Sequence, residues 1–455
     1  MSDLDFPDQG GAASSEPSWL RRWFTSQLMR RLADPARRER KRAAAEHRRL
    51  RRGEPHRVVW FHDVADPYSH LGAQLLAPLL ARYEIELEVC LVSAQEGPDT
   101  PEPALLAAYA RRDAAAIAPY RGLEFPDGVS DPPAALRTLA GRILAGSGAA
   151  RFVALAPRVG QALWRPDAAA LTAIAAEHGA AEDATLAQCV QAGNALRQRL
   201  GHYAGAMFHY AGEWYWGVDR LCHLEERLRA LGALRDPATP MVAPRPVVCA
   251  PTAPLDGGLC LEFFASLRSP YTSIVFERTV ALTRASGVRL ELRPVLPMVM
   301  RGVPVTLQKG RYIFADTARE AEAEGLRWGH ARDPIGEPVR RLYALLPWAR
   351  AQGREVELLG AALQAAFFEA ADLGRDAGLA EVVRRAGLSW EEARSKLGDR
   401  AWMAEVERNR QSLYEAGLWG VPAFRLLDAG GQPLLETWGQ DRLWLVSRKI
   451  AEAAT

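Results

Sequence analysis

The sequence lacks every arrangement of cysteine that would organise a fold or a redox centre. Its five cysteines, Cys90, Cys189, Cys222, Cys249 and Cys260, are odd in number, scattered, and nowhere spaced as C-x-x-C. That pattern suggests neither a disulfide framework nor a sulfur-rich metal site, and it fits a reducing compartment such as the cytoplasm. No apolar run reaches the roughly 18 residues needed to span a bilayer. With 48% hydrophobic and 25% charged residues, the chain reads as a soluble globular protein. G-x-G-x-x-G, a Walker loop, H-E-x-x-H and G-x-S-x-G are all missing, so dinucleotide, nucleoside-triphosphate, zinc-peptidase and serine-hydrolase chemistry find no support. Nucleic-acid binding would rest on one Arg-rich segment alone, without a recognised binding module.

Net charge is small overall and unevenly laid out. The net charge is +2, yet residues 21–52 hold thirteen Arg or Lys against Asp34, Glu39 and Glu46. The segment opens as an amphipathic helix, with Leu20, Phe24, Leu28 and Leu32 four apart beside Trp19 and Trp23, breaks at Asp34-Pro35, then becomes Arg-rich. It has no uninterrupted apolar h-region, so it is not a secretory signal. Residues 19–52 read either as a contact for a membrane surface or an acidic partner, or as a partly disordered extension that folds back on the rest or stays solvated.

Beyond this extension the chain writes one sentence twice. Val58-Val59-Trp60-Phe61-His62-Asp63 runs into Asp66-Pro67-Tyr68-Ser69, and Trp216-Gly217-Val218-Asp219-Arg220-Leu221 follows much later. Leu261-Glu262-Phe263-Phe264 leads likewise to Ser269-Pro270-Tyr271-Thr272 and then Trp438-Gly439-Gln440-Asp441-Arg442-Leu443. Motifs this far apart imply two whole domains, and 455 residues suffice for two cores. The periodicity predicts, in the first half, strand 57–63, helix 67–83, strand 86–91, a helical stretch over 101–200, short strands near Met207 and Trp214, and a helix from Arg220. In the second half it predicts strand 259–264, a helix from Pro270, strand 288–293, helices over about 316–416, strands 423–427 and 434–437, and helix 441–452. Residues 236–256, with six prolines, read as a semi-rigid linker. The expected organisation is a basic extension (1–55), a first domain (56–235), the linker (236–256) and a second domain (257–455).

A β-α-β followed by β-β-α, with helices inserted between, is the thioredoxin plan. Fold class is therefore α/β: two tandem thioredoxin-fold domains, each with a helical insertion, preceded by a basic, partly helical N-terminal extension. Ser269-Pro270-Tyr271-Thr272 stands where a disulfide oxidoreductase carries Cys-x-x-Cys. With Lys309-Gly310-x-Tyr312 followed by Asp316, Gly420-Val421-Pro422-Ala423-Phe424 and Trp438-Gly439-Gln440-Asp441-Arg442, the second half resembles the 2-hydroxychromene-2-carboxylate isomerases and kappa-class glutathione transferases of the DsbA-like thioredoxin superfamily.

The resemblance implies glutathione as cofactor and assigns residues to it. Ser269, at a predicted helix N-terminus where backbone N–H groups favour an anion, can donate its hydroxyl to a glutathione thiolate; as a residue it is equally a simple N-cap. The bond between Val421 and Pro422 is cis in this superfamily, and it can turn the neighbouring backbone toward an extended peptide ligand. Gln440 and Asp441 are implied to hold the γ-glutamyl carboxylate and ammonium, although Asp441 can also merely cap the last helix. Lys309 is where the family places a basic residue near the substrate, and a carboxylate-bearing substrate needs such a cation. Tyr312 and Asp316 recur as Tyr109 and Asp113, where Leu106 replaces the lysine, which favours a structural role for that pair.

Two departures bear on the substrate: Met300 replaces an asparagine, and Ser266 an acid often found there. The first half departs further, with Asp66 in the serine position and Ala206 or Met207 where the cis-proline belongs. It reads as a degenerate copy that serves as scaffold or internal pseudo-dimer partner. Alternatively His62, Asp63, Asp66 and His70 form a metal site. The leading expectation is a glutathione-dependent isomerase or transferase acting on a conjugated, carboxylate-bearing small molecule through the second domain. The alternative is a non-catalytic double thioredoxin-fold module, and a disulfide oxidoreductase ranks below both.

Overall fold

A computed structural model describes residues 16–94, 97–251, 253–255, 257–303 and 305–453. The chain divides into two compact units. The N-terminal unit is Arg38–Pro246; the C-terminal unit joins the described residues up to Arg37 to those from Val247 onward. Both are mixed α/β and rich in helix, and the C-terminal half has a thioredoxin-like fold.

In the C-terminal unit the strands are β5 (Cys260–Ala265), β6 (Arg289–Pro294), β7 (Ala423–Leu427) and β8 (Pro433–Trp438), ordered β6-β5-β7-β8. β5 runs parallel to β6 through the crossover helix Pro270–Ser286, whereas β7 and β8 are antiparallel to their neighbours. All six residues of β5 are buried, as expected for a strand covered by helices on both faces. Its one charged residue, Glu262, accepts from Arg293 Nε on β6 (3.0 Å) and from Arg425 on β7. Burial alone would raise its pKa, but the bonds from Arg425 and Arg293 hold it below the ordinary carboxylate range. Phe263 and Phe424 stack at 5.0 Å across the strand pair, and burying each ring contributes about 1.5–3 kcal/mol.

The N-terminal unit repeats the strand arrangement. Its strands β1 (His56–Asp63), β2 (Ile85–Val92), β3 (Met207–Tyr210) and β4 (Glu213–Trp216) are ordered β2-β1-β3-β4, with β1 parallel to β2 and the others antiparallel. Helices between Pro103 and Arg199 fill the insertion, and those between Leu307 and Glu415 fill it in the C-terminal unit.

Several expected bounds move for local reasons. The helix expected over 67–83 is two, Pro67–Gln74 and Leu76–Arg82, meeting at Leu75. The second helical block starts at Leu307, not near 316, because Thr306 accepts from Lys309 N (3.1 Å) as its N-cap. The last helix is preceded by a 3-10 turn, Gln440–Arg442, and runs Leu443–Ala453.

The basic extension is two helices, α1 (Trp19–Ala33) and α2 (Pro35–Arg52), and the division between units falls just inside α2. In α1 the buried positions are Ser26, Met29 and Ala33, and the Leu20–Phe24 edge of the apolar stripe faces out. The proline-rich stretch is ordered by both units. Val242 and Ala243 N–H groups donate to the buried Glu225 (2.8 Å each), and Leu255 N donates to Ser286 O (2.9 Å).

Candidate functional site

Ser269 stands where β5 hands over to the Pro270–Ser286 helix. Its hydroxyl accepts from Thr272 N (3.1 Å), and Pro270 occupies the first helical position, where a missing N–H costs nothing. The approach is fixed by Tyr343, which accepts from Leu267 N (3.2 Å) and donates to Val295 O (2.9 Å). Burial pushes the Tyr343 phenol up to about 12, so it remains a neutral donor. The Ser269 hydroxyl donates to Val421 O at 3.2 Å. Val421–Pro422 is cis, so the serine and the cis-proline loop are in direct contact. Val421 is half-buried, and its N–H makes no hydrogen bond among the described residues.

Pro422 O accepts from Gly439 N at 2.9 Å, which ties this loop to the Trp438–Asp441 turn. The two segments close tightly. A Cβ at Gly420 would collide with the Trp438 indole, and one at Gly439, where φ is +115°, would collide with Asp441 Oδ1. Gln440 is buried; its Nε2 donates to Glu320 Oε2 at 2.6 Å, while its Oε1 has no partner among the described residues. The Gln440 backbone N–H likewise makes no hydrogen bond among the described residues. Asp441 is partly exposed, with Oδ1 3.7 Å from Arg442 Nη1.

Lys309 lies in the first turn of the Leu307–Ala323 helix, 8% exposed, with Nζ 5.7 Å from the centre of the Trp419 ring. Trp419 also packs on Trp438 at 4.7 Å, and its carbonyl accepts from Arg301 Nη2 (3.1 Å). Lys309 therefore joins the loop through this indole. The structure thus places Ser269, Val421, Pro422, Gln440, Asp441 and Lys309 on four segments linked by named contacts.

Sequence reasoning passed over Trp419, Glu320 and Thr272. Glu320 was accessible in principle, because it follows Asp316 by four residues on one face of the same helix. Trp419 adjoins the recognised Gly420–Phe424 motif but breaks no local rule. Thr272 is wholly buried where the second cysteine of a C-x-x-C would stand, and its hydroxyl finds no hydrogen-bond partner among the described residues. Asp316 is buried and accepts from Tyr271 Oη and Arg319 Nη2, both at 2.8 Å, which is a packing role. Met300 and Ser266 are both buried.

The corresponding place in the N-terminal unit is filled by its own side chains. Asp66 caps the Pro67–Gln74 helix, accepting from Tyr68 N, Ser69 N (both 3.2 Å) and Ser69 Oγ (3.0 Å). Ser69 Oγ accepts in turn from Asp63 N (3.1 Å) and Ala206 N (3.0 Å). Gly217 N donates to Ala206 O (2.7 Å), as Gly439 does to Pro422, so Ala206, at φ +51°, takes the proline's place. Tyr68 Oη bonds Asp113 (2.7 Å) as Tyr271 bonds Asp316. Burial, and for Asp66 also the neighbouring Asp63 charge, pushes Asp63 up to about 6 and Asp66 up to about 7. His62 accepts from Trp60 Nε1 (3.3 Å), and His70 lies against Gly160. Among the described residues no group of three or more His, Cys, Asp or Glu is placed to hold a metal ion, so His62, Asp63, Asp66 and His70 are not brought together as a ligand set.

A family model for DSBA-like thioredoxin domains matches residues 260–451, from the first residue of β5 into the last helix. A comparison with curated proteins finds no match. Among solved structures, a probable DsbA oxidoreductase from Streptomyces coelicolor is 24% identical, over 43% of this chain and 90% of that one, with a TM-score of 0.35. A 2-hydroxychromene-2-carboxylate isomerase is 17% identical over 43% and 96%, with a TM-score of 0.37. The cytosolic disulfide reductase DsbM from Pseudomonas aeruginosa is 17% identical over 43% and 97%, with a TM-score of 0.31.

Proposed function

We propose that the C-terminal unit is a glutathione-dependent isomerase or transferase acting on a conjugated, carboxylate-bearing small molecule. One observation carries this reading: a serine hydroxyl at the N-cap of a 17-residue helix touches the cis-proline loop, in the positions where a thioredoxin-fold oxidoreductase keeps its two cysteines. Ser269 and Thr272 cannot cycle through a disulfide, so a reactive sulfur has to come from the ligand. Glutathione would supply it as a thiolate that adds to a conjugated carbon, the displaced electron pair resting on the substrate carbonyl oxygen, with the C–S bond broken again after rotation in an isomerase or kept in a transferase.

The chain's own groups fit such a ligand. The helix N-terminus and the Ser269 hydroxyl favour a thiolate, provided the hydroxyl turns from Val421 O toward it. The unused Val421 N–H suits an extended peptide, and the unused Gln440 N–H beside Asp441 suits the γ-glutamyl carboxylate and ammonium. Lys309, stacked on Trp419, supplies a cation for a substrate carboxylate. In the same reading the two halves arose by tandem duplication, and the N-terminal copy lost the site when Asp66 replaced serine, since a carboxylate repels a thiolate.

The self-contained hydrogen bonding around Ser69 and Asp66 favours a second reading, a non-catalytic binding protein in which neither unit does chemistry. Calorimetric titration of glutathione into the full chain decides between them. One site per chain, weakened by Asp441→Ala and by Ser269→Ala, followed by interconversion of a chromene carboxylate with its ring-opened ketoacid, supports the enzyme. No heat at about millimolar ligand, the weak end of specific binding, leaves the binding-protein reading.

A further inference from the structure

We propose that α1 docks the protein on an anionic lipid surface through the ridge formed by Trp19, Leu20, Trp23 and Phe24. Exposure of large apolar side chains is concentrated there. Trp19 is 64% exposed, Leu20 57%, Trp23 48% and Phe24 63%, four of the nine large hydrophobics that stand exposed among the described residues, within six consecutive positions. Isolated exposed apolar residues are ordinary, but a contiguous cluster marks an interaction surface.

The exposure is not fraying. Ser18 caps α1, accepting from Arg21 N (3.3 Å). The opposite face is clamped to the C-terminal unit: Arg22 Nη1 donates to Asp333 O (2.8 Å) and Ile335 O (2.9 Å), and Asp333 N donates to Ser26 Oγ (3.4 Å). Met29 and Ala33 are buried, and Ala33 packs so closely on Gly329 that a Cβ there would collide with it. Rotating α1 to hide its aromatic ridge would break all of these contacts.

The choice of a lipid surface follows from charge and shape. At about 100° per residue the four side chains cover an arc of about 140°, and Arg31 falls on that arc, about two turns from Phe24 and three from Leu20, with Arg21 about 60° beyond its Phe24 edge. Both arginines are exposed. α1 contains no acidic residue. A convex apolar arc rich in tryptophan, with cations at its margin, is how an interfacial helix sits. The rings enter the boundary between headgroups and acyl chains, and the arginines reach the phosphates. Binding an acidic polypeptide would put the arginines, not the rings, at the centre of the contact.

Flotation of the full chain with vesicles tests this. Expected is retention by vesicles of phosphatidylcholine and phosphatidylglycerol at about three to one, weakening as salt is raised, and none by phosphatidylcholine alone. A Trp19→Ser/Trp23→Ser variant and an Arg21→Glu/Arg31→Glu variant should each bind at least about tenfold less while melting as the wild type does, because the altered positions are exposed. No retention of the wild type by anionic vesicles, or equal retention of the Trp19→Ser/Trp23→Ser variant, overturns the proposal. So does capture by immobilised polyglutamate without any retention by vesicles, which would point to an acidic protein partner.

Discussion

The Ser269 hydroxyl both accepts from Thr272 N–H and donates to Val421 O, so one oxygen caps a helix and holds the cis-proline loop. Capping and anion binding can be separated by substitution. Ser269→Asp keeps a good N-cap but places a carboxylate where a thiolate would sit. The expected outcome is glutathione binding lost with the cap retained, stability falling only by the missing donation to Val421 O, which a carboxylate cannot make. Ser269→Ala removes both bonds, costs about 1 kcal/mol of stability, and weakens binding less than the aspartate does. Paired melts and titrations of the two variants check this, and full glutathione binding by Ser269→Asp would reduce Ser269 to a cap.

Lys309 and Trp419 make a second separable pair. If the ammonium above the indole receives a substrate carboxylate, Lys309→Met raises KM about tenfold for a carboxylate substrate, with kcat changed less, and Lys309→Arg restores most of it. A neutral analogue of the same substrate should be indifferent to the change. Equal losses on charged and neutral substrates would show that Lys309 only supports the packing of Trp419.

These pairs also show what the sequence discloses and what it hides. The order of strands was legible because β1 and β5 are short apolar runs ending in a helix-start signal, Asp66-Pro67 and Ser269-Pro270. Placement of Lys309 on a helix was not, because apolar periodicity is weak over its first turns and the Thr306 cap carried the signal instead. Which way the apolar stripe of α1 faces was left open for a physical reason: spacing of Leu20, Phe24, Leu28 and Leu32 defines a stripe but not its partner. The buried face is set by Ser26 against Asp333, Met29, and Ala33 against Gly329. The roles of Glu320 and Trp419 emerged only in three dimensions, since each acts through a residue more than a hundred positions away, even though spacing alone put Glu320 on the same helix face as Asp316.

Gln440 and Glu320 form a buried bond at 2.6 Å, leaving Gln440 Oε1 without a partner among the described residues. Gln440→Glu would set two carboxyl groups against each other in a buried site. Expected is a loss of about 2–3 kcal/mol at pH 8, partly recovered near pH 5 as one carboxyl takes up a proton. Gln440→Leu, which removes the Nε2 donor to Glu320 Oε2 without adding a charge, should cost about as much at both pH values. Urea unfolding of the two variants at the two pH values distinguishes these outcomes, and a pH-independent loss in Gln440→Glu would contradict the assignment.

The N-terminal unit should lose stability steeply in mild acid. Burial lowers His62 and His202 to about 3 and His70 and His209 to about 4. Folded, these rings stay neutral; unfolded, they take up protons below about pH 6.5, so their contribution is present above that value and is lost as pH falls toward 4. Each costs up to about 1.4 kcal/mol per pH unit in that window. Asp63 and Asp66 act in the opposite direction: with folded values of about 6 and 7, they hold protons that the unfolded chain has released, so they stabilise as pH falls through that range. Four histidines outweigh two carboxyls, and the expected result is a lower melting temperature at pH 5 than at pH 7.5. Removing one carboxyl sharpens the test. Asp66→Asn, which retains an N-cap side chain, should melt higher than wild type at pH 8 and fall more steeply with acid, because the compensating proton is gone. A variant that tracks the wild type at both pH values would show that Asp66 ionises normally and that its burial in the cap is without electrostatic consequence.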